Sequence, residues 1–229
     1  MGHYHQESTN LNFKSRPLLQ VAIDALSTEQ ALEMVGQVYP HVDIIEIGTP
    51  LIMGEGLSAL ETIKARFPGK KYLADLKIMD AGKIEATIAF KQGADIVTVL
   101  AAADDLTIRG TLEAAAGHGG QVMADLINVR DPVARAIELS VMRVPILCLH
   151  TAFDRRGPDE DILYLLEVVR PAVTCQLAIA GGLTSDSVRQ ALSKGADIVV
   201  VGSGITDQPD PGKAARTIMK ELEEWIDGF

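Results

Sequence analysis

Ala74-Asp75-Leu76-Lys77-Ile78-Met79-Asp80 closes the apolar run Lys71–Lys77, and the fold can be read outward from it. Residues two apart on a strand share a face, so Asp75 and Lys77 are expected to point the same way. Asp80 falls past the strand end, in the loop before a helix. Ionisable groups converging at the carboxyl end of a buried strand are costly to desolvate, and they persist when paired, metal-bound or catalytic.

The same unit recurs along the chain. Apolar or β-branched runs lie at Leu18–Asp24, Val42–Thr49, Lys71–Lys77, Ile96–Ala101, Gln121–Ile127, Ile146–Thr151, Gln176–Gly181 and Ile198–Ser203. A segment with helical patterning and one charged face follows each. Helix starts carry their own signals. Ser27-Thr28-Glu29-Gln30 reads as a capping box, Asp131-Pro132 and Asp210-Pro211 place a capping acid before a proline, and Thr184 or Ser185 can cap the seventh helix. Eight such units with short connections predict a single α/β domain, a (β/α)8 TIM barrel over residues 16–229. The opening segment, with His3, His5 and a linker-like Thr9–Ser15, reads as a disordered, tag-like leader over residues 1–15 and is set aside.

Composition narrows the function. The 229 residues carry a net charge of −10, which disfavours nucleic-acid binding, and 4% aromatic content is too sparse for a base-stacking platform. No apolar run is long enough to span a membrane. Cys148 and Cys175 sit in apolar runs and read as buried free thiols, which fits a reducing cytoplasm.

In such a barrel the chemistry gathers at the carboxyl ends of the strands. Asp24, Glu46, Asp75, Lys77, Asp125 and His150 each come late in a strand and share one parity, while the other parity is apolar. If that parity faces the axis, the six ring one mouth. Four acids beside one lysine repel one another unless a divalent cation is present. Glu46 and Asp75, on adjacent strands, offer hard oxygen ligands for Mg2+, with water and substrate filling the remaining positions. The seventh and eighth strands end in Gly181-Gly182 and Gly202-Ser203, where this fold commonly holds a phosphate.

Those residues resemble a known family. From Leu18 to about Ile218 the chain is similar to the orotidine monophosphate decarboxylase suprafamily, and within it to the 3-hexulose-6-phosphate synthases. The resemblance rests on Val42–Pro50, the Asp-x-Lys-x-x-Asp motif of Ala74–Gly82, Asp125–Val129, His150-Thr151, Ala178–Gly182 and Val201–Ser203. It implies a Mg2+-dependent aldol condensation of formaldehyde with D-ribulose 5-phosphate through an enediolate, and the reverse cleavage. Glu46 and Asp75 would be the metal ligands, Lys77 would face the oxyanion and His150 would carry the proton. Asp24 and Asp125 would position hydroxyls, and Gly181, Gly182, Gly202 and Ser203 would hold the phosphate. It further implies a homodimer with shared active sites, Asp80 reaching into the neighbouring one. The related 3-keto-L-gulonate-6-phosphate decarboxylases carry an arginine three residues after the sixth-strand histidine; Phe153 stands there, which favours the aldolase.

The chain also departs from the pattern. Ala101 replaces a glycine, Met142-Arg143-Val144-Pro145 replaces a Gly-Ala-Asp lead-in, and the loop from Ala152 to Pro158 is altered and reads as shortened. Loss of part of a covering loop predicts slower turnover. With the tag-like leader, these changes point to engineering. They also raise an alternative of another class, a synthase-derived barrel serving as a subunit of a larger assembly through the apolar run Val141–Leu147.

Overall fold

The computed structural model describes residues 16–155 and 162–227, so the expected leader over 1–15 and the altered loop beyond Arg155 lie outside the described residues. The elements run β1 (Leu18–Ile23), α1 (Thr28–Val38), β2 (Ile44–Ile47), α2 (Thr49–Glu55), α3 (Ser58–Arg66), β3 (Lys71–Ile78) and α4 (Gly82–Lys91). They continue with β4 (Ile96–Leu100), α5 (Asp105–His118), β5 (Gln121–Asp125), α6 (Pro132–Val141), β6 (Ile146–His150) and α7 (Ile162–Val169). The chain then forms β7 (Gln176–Ala180), α8 (Ser185–Ser193), β8 (Ile198–Val201), α9 (Ser203–Thr206) and α10 (Pro211–Asp227). The strands close in sequence order, and β1 pairs in parallel with β8. This is the expected (β/α)8 barrel. All eight strands stand where the apolar runs placed them, trimmed at one or both ends except for β3, which extends one residue to Ile78. The expectation of one helix per unit omitted two short ones, α2 and α9, each set just after a strand at the mouth.

The caps behave largely as read. Asp131 and Asp210 accept from Ala134 N and Lys213 N ahead of their prolines. The first capping box is half formed. Ser27 Oγ accepts from Gln30 N, but the Gln30 side chain takes the N–H of Leu26 instead of Ser27.

Parity separates two cores. Ile44, Leu73, Ile96, Met123, Ile146, Cys148, Ala178, Ile198 and Val200 fill the barrel axis. The opposite parity, with Val21, Ile45, Ala74, Val97, Ala124, Leu147, Ile179 and Val199, packs against the helices. Acids are also sorted by end. At the amino-terminal ends, Asp43, Asp95 and Asp197 each accept a backbone N–H from the preceding strand, from Leu19, Tyr72 and Leu177. Arg16, Lys64 and Arg170 pair with these three carboxylates. They are spent on holding strands together. Of the run Val141–Leu147, Val144, Ile146 and Leu147 are core, while Val141 is 78% exposed. Cys148 is buried, whereas Cys175 is only half-buried.

Candidate active site

A cavity of 620 Å3 opens at the carboxyl ends of the strands. Asp24, Glu46, Asp75, Lys77, Asp125 and His150 all line it, as do Gly181, Gly182, Gly202 and Ser203. The ring that the polar parity implied is therefore present, although alternation alone does not account for Lys77. Of the residues expected to act, Asp80 alone is outside. It is exposed in the loop after β3, where its Oδ1 accepts from Ala81 N at 2.7 Å.

Two neighbouring carboxylates form one wall. Glu46 pairs across the ladder with Leu73, two residues before Asp75. Both acids are buried. Burial, and then the charge of Asp75, push the Glu46 carboxyl up to about 8, against the Gln20 hydrogen bond that lowers it. Gln20 Nε2 donates to Glu46 Oε2 at 2.6 Å, and Gln20 Oε1 is buried without a hydrogen-bond partner. Asp75 is tied on both oxygens. Thr98 Oγ1 donates to Oδ1 at 2.8 Å, Thr49 Oγ1 lies 2.8 Å from Oδ2, and the Lys77 ammonium pairs with Oδ2.

Lys77 reaches that position by a route that simple alternation does not describe. The β3–β4 register steps from Ala74↔Val97 to Ile78↔Val99, so four residues of β3 span two of β4. Lys77 sits in this bulge with φ +48°. Left-handed backbone is unfavourable for a residue with a long side chain and marks a local constraint. The displaced Lys77 N–H donates to Thr98 Oγ1 at 2.9 Å. Lys77 is raised overall: burial lowers it, but Asp75 outweighs that through its charge and hydrogen bond.

The opposite wall is the Asp125–His150 pair. His150 Nδ1 lies 2.8 Å from Asp125 Oδ2, and Asp125 Oδ1 accepts from Ile127 N at 2.9 Å. A carboxylate only accepts, so Nδ1 carries the hydrogen and Nε2 is left for proton transfer. Cys148, beneath His150, is held protonated by burial and by Asp125. At the third side, Gly48 lets the Asp24 carboxylate come close: a Cβ there would lie 2.2 Å from Asp24 Oδ1. Gly181 and Gly182 have φ +103° and +75°, and a Cβ on Gly181 would lie 2.5 Å from Thr151 O. These turns bring bare backbone to the cavity edge, as an anion cradle requires.

The donor set suits a hard divalent cation. Among the described residues no group of three or more His, Cys, Asp or Glu is clustered for a metal. Two carboxylates do adjoin, with Glu46 held largely protonated by burial and then by the charge of Asp75, beside the unpartnered Gln20 Oε1. Mg2+ is commonly held by one or two carboxylates and retains water, and such water can donate to an orphaned carbonyl oxygen. Gln20, Thr49 and Thr98 were not singled out from the sequence. Their hydroxyl and amide groups sit inside ordinary strand-forming runs.

Comparisons with known proteins bear on the family and the fold. The model of the Orotidine 5'-phosphate decarboxylase / HUMPS family matches residues 17–218. The 3-hexulose-6-phosphate synthase of Mycobacterium gastri is 44% identical over 201 residues, 87% of this chain and 97% of its own. That of Bacillus subtilis (strain 168) is 40% identical over 205 residues, 89% and 97% of the two chains. A crystal structure of 3-hexulose-6-phosphate synthase superposes with a TM-score of 0.85 at 42% identity, covering 90% of this chain and 99% of that one.

Proposed function

The chain belongs to the orotidine 5'-phosphate decarboxylase / HUMPS family, and on that premise we propose that it joins formaldehyde to D-ribulose 5-phosphate, giving a 3-hexulose 6-phosphate, and runs the reverse cleavage. The observation that carries this reading is the Asp125–His150 pair facing Glu46, Asp75 and Lys77 across one cavity. A proton carrier on one side and the Lys77 ammonium on the other meet what removal of a proton beside a carbonyl needs.

His150 Nε2 takes a proton from C1 of the ketose, and Asp125 holds the imidazole in the required tautomer. The electron pair moves onto the carbonyl oxygen, which the Lys77 ammonium faces. C1 then attacks the formaldehyde carbon, and the formaldehyde oxygen collects a proton. Mg2+ held by Glu46 and Asp75 would supply further positive charge to the substrate oxygens. Asp24 hydrogen-bonds sugar hydroxyls, and the Gly181-Gly182 and Gly202-Ser203 turns receive the phosphate.

Asp80 takes no part in its own cavity, and Met79, Ile84, Ile88 and Leu106 near it are exposed. A second copy seated on this apolar face would bring Asp80 to the neighbouring mouth. No helix among the described residues is long and apolar enough to cross a membrane, and a cytoplasmic site of action fits the phosphorylated substrate. The test is formaldehyde consumption that requires both ribulose 5-phosphate and Mg2+, with Asp75→Ala as the inactive control. A wild-type protein that consumes no formaldehyde would remove the aldolase reading and leave the barrel intact.

A further inference from the structure

We propose that Thr98 is a positioning residue for this reaction, a role that rests on the reading above for its kinetic consequence but on geometry for its existence. Thr98 lies on β4 and is almost wholly buried, yet its hydroxyl points into the cavity. It uses both of its hydrogen-bonding capacities on the adjacent strand. Its O–H donates to Asp75 Oδ1 at 2.8 Å, and its oxygen accepts the Lys77 N–H at 2.9 Å. One hydroxyl thus ties the carboxylate of residue 75 to the backbone of residue 77.

The placement answers a specific structural need. The β3 bulge pulls Lys77 out of the β4 ladder, and its φ of +48° is one that a lysine does not choose unaided. A buried N–H left without an acceptor is costly, so the bulge needs a partner from a side chain. Thr98 supplies that partner and, through the same atom, aims Asp75. The Asp75 carboxylate in turn pairs with the Lys77 ammonium. Side chain and backbone of Lys77 are therefore set by one residue on the next strand. Thr49, which also touches Asp75, makes no contact of this kind with Lys77 N.

The experiment compares Thr98→Val with Thr98→Ser. Valine keeps the shape and loses both bonds; serine keeps both bonds. Two measurements are made on each folded protein: kcat and KM for formaldehyde fixation, and the amide hydrogen-exchange rate at Lys77. Thr98→Val is expected to speed exchange at Lys77 at least tenfold, with Leu73 and Val99 little changed. It should lower kcat roughly 10–100-fold, the range typical of residues that orient ligating groups, with KM for ribulose 5-phosphate moving less than threefold. Thr98→Ser is expected to stay within threefold of wild type in both. If Thr98→Val does not fold, Thr98→Ala takes its place in the same comparison. A serine variant as impaired as the valine one, or a valine variant with wild-type kcat, overturns the proposal. If the wild type itself does not fix formaldehyde, the aldolase reading fails. The tether then stands or falls on the exchange arm alone: unchanged protection at Lys77 in Thr98→Val refutes it.

Discussion

Glu46→Gln should make the metal-free protein more stable at alkaline pH, and the size of the effect follows from the site. The Glu46 carboxyl is 8% exposed and is pushed from 4.5 to about 8, mainly by burial and then by Asp75. Its folded-state value is raised, so the stability associated with its neutral form is fully present below about pH 4.5. That stability is lost progressively as pH rises to about 8. At about 1.4 kcal/mol per pH unit, the ceiling on the loss is about 5 kcal/mol. For a chain of this size, 1 kcal/mol corresponds to roughly 2–4 °C in Tm. Glutamine keeps the shape and the Gln20 contact but never ionises. In EDTA-treated samples scanned at one fixed rate, the Tm of Glu46→Gln should match wild type near pH 5 and exceed it by at least about 4 °C at pH 9. Adding Mg2+ at pH 9 should raise wild-type Tm and leave the variant unmoved. Parallel Tm curves for the two proteins between pH 5 and 9 would refute the argument that Glu46 is buried at the expense of its charge.

Three further outcomes are expected. His150→Ala should slow exchange of the C1 hydrogen of ribulose 5-phosphate with solvent by roughly 10²–10⁴-fold; full-rate exchange by NMR would assign the proton to another group. Gly181→Ala forces a Cβ to 2.5 Å from Thr151 O at φ +103°, so it should destabilise the fold by about 1–3 kcal/mol in urea titrations and raise KM for the phosphorylated ketose. An unchanged KM would separate that turn from the phosphate. Sedimentation should give the mass of a dimer, and Ile84→Glu should shift it toward a monomer. A mass well above a dimer that collapses on Val141→Asp instead would favour the larger assembly.

How far the site could be read in advance depended on whether one strand sufficed to see it. Strand periodicity is a local property, and it correctly turned Asp24, Glu46, Asp125 and His150 toward one axis. The pairing of Ala22 with Glu46 and of Asp125 with Cys148 shows the same parity carried around the barrel. Lys77 reached the cavity for a different reason from the one alternation supplies, because a bulge is defined only by the neighbouring strand. Thr98 and Gln20 were invisible for the same cause. A threonine in Ile96-Val97-Thr98-Val99 scores as an ordinary strand former until Asp75 is set beside it. Asp80 lies past the last ladder residue, where periodicity has no say, and its own chain leaves it outside the cavity. Arg155 and the residues before it show a short 3-10 turn at Phe153–Arg155 after His150, and the shortened loop expected there continues beyond the described residues.

The closure of β1 against β8 has a consequence for how the protein comes into being. Leu18 and Ile198 are ladder partners although 180 residues separate them. Until β8 docks, β1 and β7 are both open edges able to pair with another chain. The Asp24 carboxylate and Gly202 come together across that seam, 3.8 Å from carboxylate oxygen to the position of a Cβ. The cavity mouth therefore needs both ends of the barrel in place. Its completion requires the longest-range pairing of the barrel, the same contact that removes both open edges.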